Sequence, residues 1–91
     1  MTIDQTAGAT AVTGDGVREV LLDHLEARIK VRVAADHDLL ATGLVTSMFA
    51  MELIVYLEQS FGVEVVGDDL RMDNFRSVDS MTGLVLRLRG A

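Results

Sequence analysis

A chain of 91 residues with a net charge of −6, 49% apolar residues and no cysteine makes one small domain able to bury a core of its own. The missing cysteines exclude a disulfide framework, a thiolate metal site and a thiol nucleophile, a composition that fits a reducing cytoplasm. The charge argues against nucleic acid, whose binding runs on Lys and Arg neutralising phosphates, because residues 33–70 hold seven acids and no base.

Residues 1–14 are rich in Thr, Ala and Gly and offer little to bury. They read as a flexible tail, which leaves 15–91 as the folded domain. No basic segment followed by an apolar run marks a secretory leader. A first helix is expected from Asp15, as N-cap, to about Lys30. Val17, Val20, Leu21, Leu25 and Ile29 fall at helical spacing on its inner side, and Arg28 and Lys30 suit the negative end of its dipole.

Val31–Val45 reads as a long loop pinned to the core by Leu39, Leu40 and Leu44. A loop of that length in a small domain is functional or disordered. The second helix is expected from Ser47 to Ser60, with Thr46 as N-cap and Gly62 as terminator. Ala50, Leu53, Ile54, Leu57 and Phe61 form its inner side. Leu39–Leu57 is long and almost uncharged, approaching the length of a membrane span. Gly43, Thr46 and Ser47 interrupt it, Glu52 would be costly in lipid, and no basic flank accompanies it, so no membrane association is expected.

Val63-Glu64-Val65-Val66 is too short for a strand without a partner and reads as extended loop. A short helical turn is expected over Asp68–Asp73. The last helix starts at Ser77, a good N-cap, and runs to about Arg89 with Met81, Leu84, Val85 and Leu88 inward. Gly83 inside it costs about 1 kcal/mol relative to Ala, which implies close packing or local looseness there. The fold class is all-α: a small four-helix bundle, three main helices plus one short helix, with a long loop between helices one and two.

Catalysis finds little support. Nucleophilic chemistry needs a base in reach of the nucleophile, and only His24 and His37 are available. His24 lies among charged helix positions and reads as a solvated surface residue. His37 is flanked by Asp36 and Asp38, but acids one residue away on either side do not converge on a metal. A hydrolase coupling Ser47 to His37 is a distant possibility. The outer side of the second helix is more informative. Met48, Met51 and Val55 form an apolar stripe bordered by Glu52, Glu58 and Gln59, where a solvent-facing stripe should be polar. Another helix of the chain covers it, or it is scattered exposed surface, or it meets a partner; the last is favoured and suits flexible Met side chains. Phe49 and Tyr56 lie on the flank, as core or rim.

Residues 43–62 then show a register: Thr46-Ser47-Met48, Glu52-Leu53, Leu57-Glu58 and Phe61-Gly62-Val63. With Val66-Gly67-Asp68-Asp69 and a last helix from Ser77, the pattern over residues 17–89 resembles the acyl carrier protein family. The resemblance implies a carrier domain over 15–91 that is not an enzyme. It implies that Ser47 bears a covalent 4'-phosphopantetheine arm, installed from coenzyme A with Mg2+ by a phosphopantetheinyl transferase. The arm's thiol would hold an acyl group as a thioester, supplying the thiol chemistry that the chain itself lacks. Thr46, Met48, Phe49, Met51, Glu52, Val55, Asp68 and Asp69 would meet the partners: the transferase, an acyl-loading enzyme, and an acyltransferase or ketosynthase. Two residues depart from the family pattern. Thr46 replaces its Asp before the serine, and Phe49 stands where an acid is frequent. Phe49-Ala50-Met51-Glu52-Leu53, Asp69-Leu70 and Asn74-Phe75-Arg76-Ser77-Val78-Asp79 resemble discrete carriers of actinobacterial polyketide pathways, which carry unusual extender or aminoacyl starter units. The expectation is a stand-alone, monomeric, cytoplasmic carrier. The rival from another class is an unmodified helical adaptor that binds a partner helix through the Met48/Met51/Val55 stripe.

Overall fold

The structure, a computed structural model, describes residues 13–90. The expected tail over 1–14 therefore lies almost wholly outside the described residues, as does Ala91. Helix α1 spans Gly14–Ile29, α2 spans Ser47–Phe61 and α3 spans Val78–Gly90. Two 3-10 turns, Gly67–Asp69 and Met72–Phe75, lie between α2 and α3. The described residues contain no strand, and the domain is an all-α bundle. The one short helix expected over 68–73 is instead this pair of turns, with Leu70 and Arg71 between them.

The N-cap of α1 is Thr13 rather than Asp15. The first helical bond runs from the Val17 N–H to the Thr13 carbonyl at 2.9 Å, and the Thr13 hydroxyl accepts from the Gly16 N–H at 3.0 Å. Asp15 sits in the first turn, where an acid suits the helix dipole, and pairs with Arg18. Val17, Leu21, Leu22 and Leu25 form the buried stripe of α1. Leu22 lies on it in place of Val20, which is exposed, because the stripe is centred on Leu21 and Leu25 and leaves Val20 beyond its edge. Helix α1 packs against α3, and the second 3-10 turn packs against both α3 and α2.

The loop between α1 and α2 is fastened at three points. The Leu39 N–H donates to the Arg76 carbonyl at 2.7 Å, the Val45 N–H to the Leu39 carbonyl at 3.1 Å, and the Asp79 N–H to the Ala35 carbonyl at 2.9 Å. Leu39 and Val45 are buried, while Leu40 and Leu44 are partly buried against the core. Asp38 accepts from the Ala41 N–H and pairs with Arg76; chiefly the amide bond, and then the guanidinium, hold its carboxyl below the usual range. After α2, Gly62 adopts a left-handed conformation (φ 66°), and Arg89 donates to the Phe61 carbonyl at that helix end. Val63 and Val65 then point inward and Glu64 outward along extended backbone.

In α3 the Ser77 hydroxyl accepts from the Ser80 N–H at 3.0 Å, as an N-cap does. Met81, Leu84 and Val85 are buried as expected, together with Val78 and Thr82. Gly83 is exposed, and a Cβ there would meet nothing within 4 Å. Close packing therefore does not explain this glycine. Gly83→Ala should stabilise the domain by about 0.4–1 kcal/mol, since alanine adds helix propensity without a clash. In a domain of this size that raises the melting temperature by roughly 2–8 °C, measurable by circular dichroism.

Candidate functional site

The N-terminus of α2 is held between two buried residues, Val45 and Ala50. Thr46 has extended backbone, and its hydroxyl accepts from the Phe49 N–H at 3.2 Å. The first backbone bond of the helix runs from the Ala50 N–H to the Thr46 carbonyl at 2.8 Å. Ser47, the first helical residue, is thus exposed at the positive end of α2. Its hydroxyl makes no hydrogen bond among the described residues. No acid occupies the first turn of α2, so nothing in that turn repels an anion.

Beyond Ser47, the stripe lies open to solvent: Met48 is 78% exposed, Met51 66% and Val55 48%. No other described part of the chain covers it. Among the described residues, three of the clefts lie along the helix. Thr46, Met48, Phe49 and Glu52 share one with Arg28 and Ile29. Glu52 and Val55 line a second with His24, Arg28, Tyr56 and Gln59. Ser47 and Met51 line a third, of about 280 Å³, with Ala50, Ile54, Leu70, Arg71, Met72 and Phe75. Asp68 and Asp69 stand apart from all three clefts, on the first 3-10 turn.

The acids are less available than the sequence implies. Glu52 is paired with Arg28, Asp69 with Arg87 and Asp38 with Arg76. Three of the seven acids in the base-free middle are therefore neutralised by arginines from outside it. Asp36, Glu64 and Asp68 remain exposed. Arg28 has a second role, lying over the Phe49 ring at 5.1 Å from its centre, which makes partly buried Phe49 a floor rather than a free knob. Arg28 escaped the sequence reading because a helix-capping cation and a cross-helix partner look alike in one dimension. Leu70, Arg71 and Met72 were also missed; two large apolar residues bracketing an arginine in a loop was the available signal.

Neither histidine serves Ser47. His37 Nε2 lies 3.1 Å from the Thr42 hydroxyl, so the coupling that a hydrolase would need is not formed. His24 is half-buried rather than solvated, stacked on Tyr56 with ring centres 3.6 Å apart. Burial, and secondarily Arg28, push its pKa below the ordinary value, with Glu52 opposing. Between that lowered value and about 6.5, the unfolded chain binds the proton more tightly than the folded one, so stability falls as the pH drops through this window. The urea midpoint should therefore decline from about pH 7.5 to 5.5, and His24→Gln should flatten that decline. The Asp38 contribution is lost only at lower pH, below about 4, and does not overlap.

Among the described residues, the site joins an exposed hydroxyl at a helix start to an open apolar stripe, and no histidine bonds that hydroxyl. The phosphopantetheine attachment site family matches residues 15–85, and the chain belongs to that family. Comparisons with curated proteins and with solved structures returned no match. The domain is accordingly a non-catalytic carrier to which 4'-phosphopantetheine is covalently attached, and it works with a phosphopantetheinyl transferase and with acyl-handling enzymes. No described helix is long and apolar enough to cross a membrane.

Proposed function

We propose that Ser47 bears the arm and that the chain presents acyl thioesters to enzymes of polyketide assembly. One observation carries the choice of Ser47: among the described hydroxyls of serine and threonine, it alone is exposed, unengaged and at the positive end of a helix. Thr13, Thr46 and Ser77 are caps, and Ser80 bonds Ser77. Thr42 bonds the Asp38 carbonyl, and Thr82 is buried. Ser60 is exposed, but it lies in the last turn of α2, where the dipole disfavours a phosphodiester.

When bound, the arm supplies a thiol for thioester exchange. The chain's own part is to present and to orient. The α2 dipole favours the phosphodiester by about 0.3–1 kcal/mol at an exposed helix end. Thr46, Met48, Phe49, Met51, Glu52 and Val55, with Asp68 and Asp69, form the face offered to the transferase, the loading enzyme, and an acyltransferase or ketosynthase. The exposed Met48, Met51 and Val55 support an apolar contact at its centre. The pairing of Glu52 and Asp69 to arginines leaves Asp68 as the freer acid on this face. The polyketide assignment is supported by the resemblance of the 49–53 and 69–79 segments to discrete carriers of such pathways.

Incubation with coenzyme A, Mg2+ and a broad-specificity transferase should add one phosphopantetheinyl group, seen by intact mass, with peptide fragmentation placing it on Ser47. An addition mapped to another hydroxyl removes the assignment. Holo protein should then accept an acyl unit from a polyketide acyltransferase, and failure with a panel of such enzymes removes the pathway reading alone.

A further inference from the structure

The cleft beside Ser47 has a single charged side chain in its wall, Arg71, set between Leu70 and Met72. The chain has eight Lys and Arg residues. Arg18, Arg28, Arg32, Arg76 and Arg87 are paired with carboxylates, and Arg89 donates to the Phe61 carbonyl. Among the described residues only Lys30 and Arg71 lack such a partner. Lys30 caps the end of α1, where the helix dipole favours a cation. Arg71 has acids on both sides in sequence, yet Asp69 is held by Arg87 and Asp73 by Arg76. Asp68 is the one nearby acid left without a partner, and it is exposed. The neighbours that would quench Arg71 are committed elsewhere, and its guanidinium stands free at the wall of an apolar cleft that it shares with Ser47.

Attachment at Ser47 introduces one anion, the phosphodiester, bonded directly to the Ser47 hydroxyl oxygen and so brought to the same cleft. We propose that Arg71 is a positioning residue that binds the phosphodiester of the arm and turns the root of the arm across the apolar cleft, over Ala50, Ile54 and Phe75. The proposal rests on Ser47 being the attachment residue. A guanidinium suits this task because its planar fork gives two parallel N–H donors to the two non-bridging oxygens of a phosphodiester, fixing direction as well as charge. Two cationic and dipolar elements then face the phosphate: the start of α2 from one side and Arg71 from the other.

The test uses the full chain, nitrogen-15 labelled, in apo and holo forms, with conversion verified by intact mass. On conversion the Arg71 Nε–Hε resonance should move, while that of Arg32, tied to acids of α1, should stay. The phosphorus-31 resonance of the holo protein should shift as salt is raised to about 1 M, where the Debye length is about 3 Å. In holo Arg71→Gln that resonance should sit near the high-salt wild-type position and respond little to salt. Arg71→Lys should restore the salt response but only part of the displacement. Arg71 is exposed, and an unchanged amide spectrum away from the cleft verifies that each variant is folded. If the arm is on Ser47 yet the Arg71 resonance does not move and the glutamine variant matches wild type, the role of Arg71 is overturned and the attachment site stands. If fragmentation finds no arm on Ser47, both fall together.

Discussion

Ser47→Ala should abolish addition of the phosphopantetheinyl group, leaving a single apo mass under conditions that convert the wild type completely. The expectation is all-or-none because no second hydroxyl among the described residues shares the setting of Ser47. A phosphodiester bond also cannot form on a methyl group. The same substitution should leave stability within about 0.5 kcal/mol of wild type, as for surface residues free of special contacts. Thr46, not Ser47, caps the helix: its hydroxyl accepts the Phe49 N–H. Thr46→Ala should therefore show the converse pattern, losing about 0.5–2 kcal/mol from the missing cap while keeping the acceptor hydroxyl of Ser47. Urea titrations of the two variants, read beside their intact masses after transferase treatment, separate the chemical role from the structural one. A modified Ser47→Ala protein would end the assignment.

The cap and the bounds of α2 were already legible in the sequence, because several independent signals agree along it. Thr46 offers a cap, Gly62 a left-handed stop, and the apolar spacing from Ala50 to Phe61 a buried stripe. Local chemistry fixes both ends of such a helix, and tertiary contacts need only confirm it. The segment before α3 was less legible for a physical reason. Gly67-Asp68-Asp69 and Met72–Phe75 each close by bonds three residues apart, Leu70 N–H to the Gly67 carbonyl and Arg76 N–H to the Asp73 carbonyl. Two tight turns and one short helix share the same local preferences, and a side-chain bond from the Asn74 amide to the Asp69 carbonyl, five residues back, helps set the arrangement. The ion pairs were not legible at all. Arg28–Glu52, Arg76–Asp38 and Arg87–Asp69 join residues far apart in sequence, and a one-dimensional charge count sees only an acidic middle. The free state of Arg71 is the residue of those pairings, so it too becomes visible only once the chain is folded.

Leu39→Ala should be the most damaging single truncation in the loop, because Leu39 holds together parts that the sequence leaves separate. Its side chain is wholly buried, its N–H donates to the Arg76 carbonyl ahead of α3, and its carbonyl accepts from Val45 just before the α2 cap. Removing the buried isobutyl group should cost about 2–5 kcal/mol, from lost transfer energy plus the cavity left behind. For a domain this small, net stability is on the order of 5 kcal/mol, so the variant should be marginal or partly unfolded at 37 °C. The urea midpoint should fall by roughly 1–5 M given a slope near 1–2 kcal/mol per molar. Leu39→Met, which nearly conserves volume, should cost less than about 1.5 kcal/mol. The functional consequence follows from the same geometry. Val45 and Thr46 reach their places through the bond to Leu39, so loosening it frees the start of α2 and the presentation of Ser47 with it. Arm transfer to Leu39→Ala should therefore slow even at low temperature, where the protein is still mostly folded, whereas a comparable loss of stability from Leu84→Ala in α3 should leave the transfer rate of the folded fraction unchanged. Equal slowing in both variants would mean that global stability, and not the loop, governs access to Ser47.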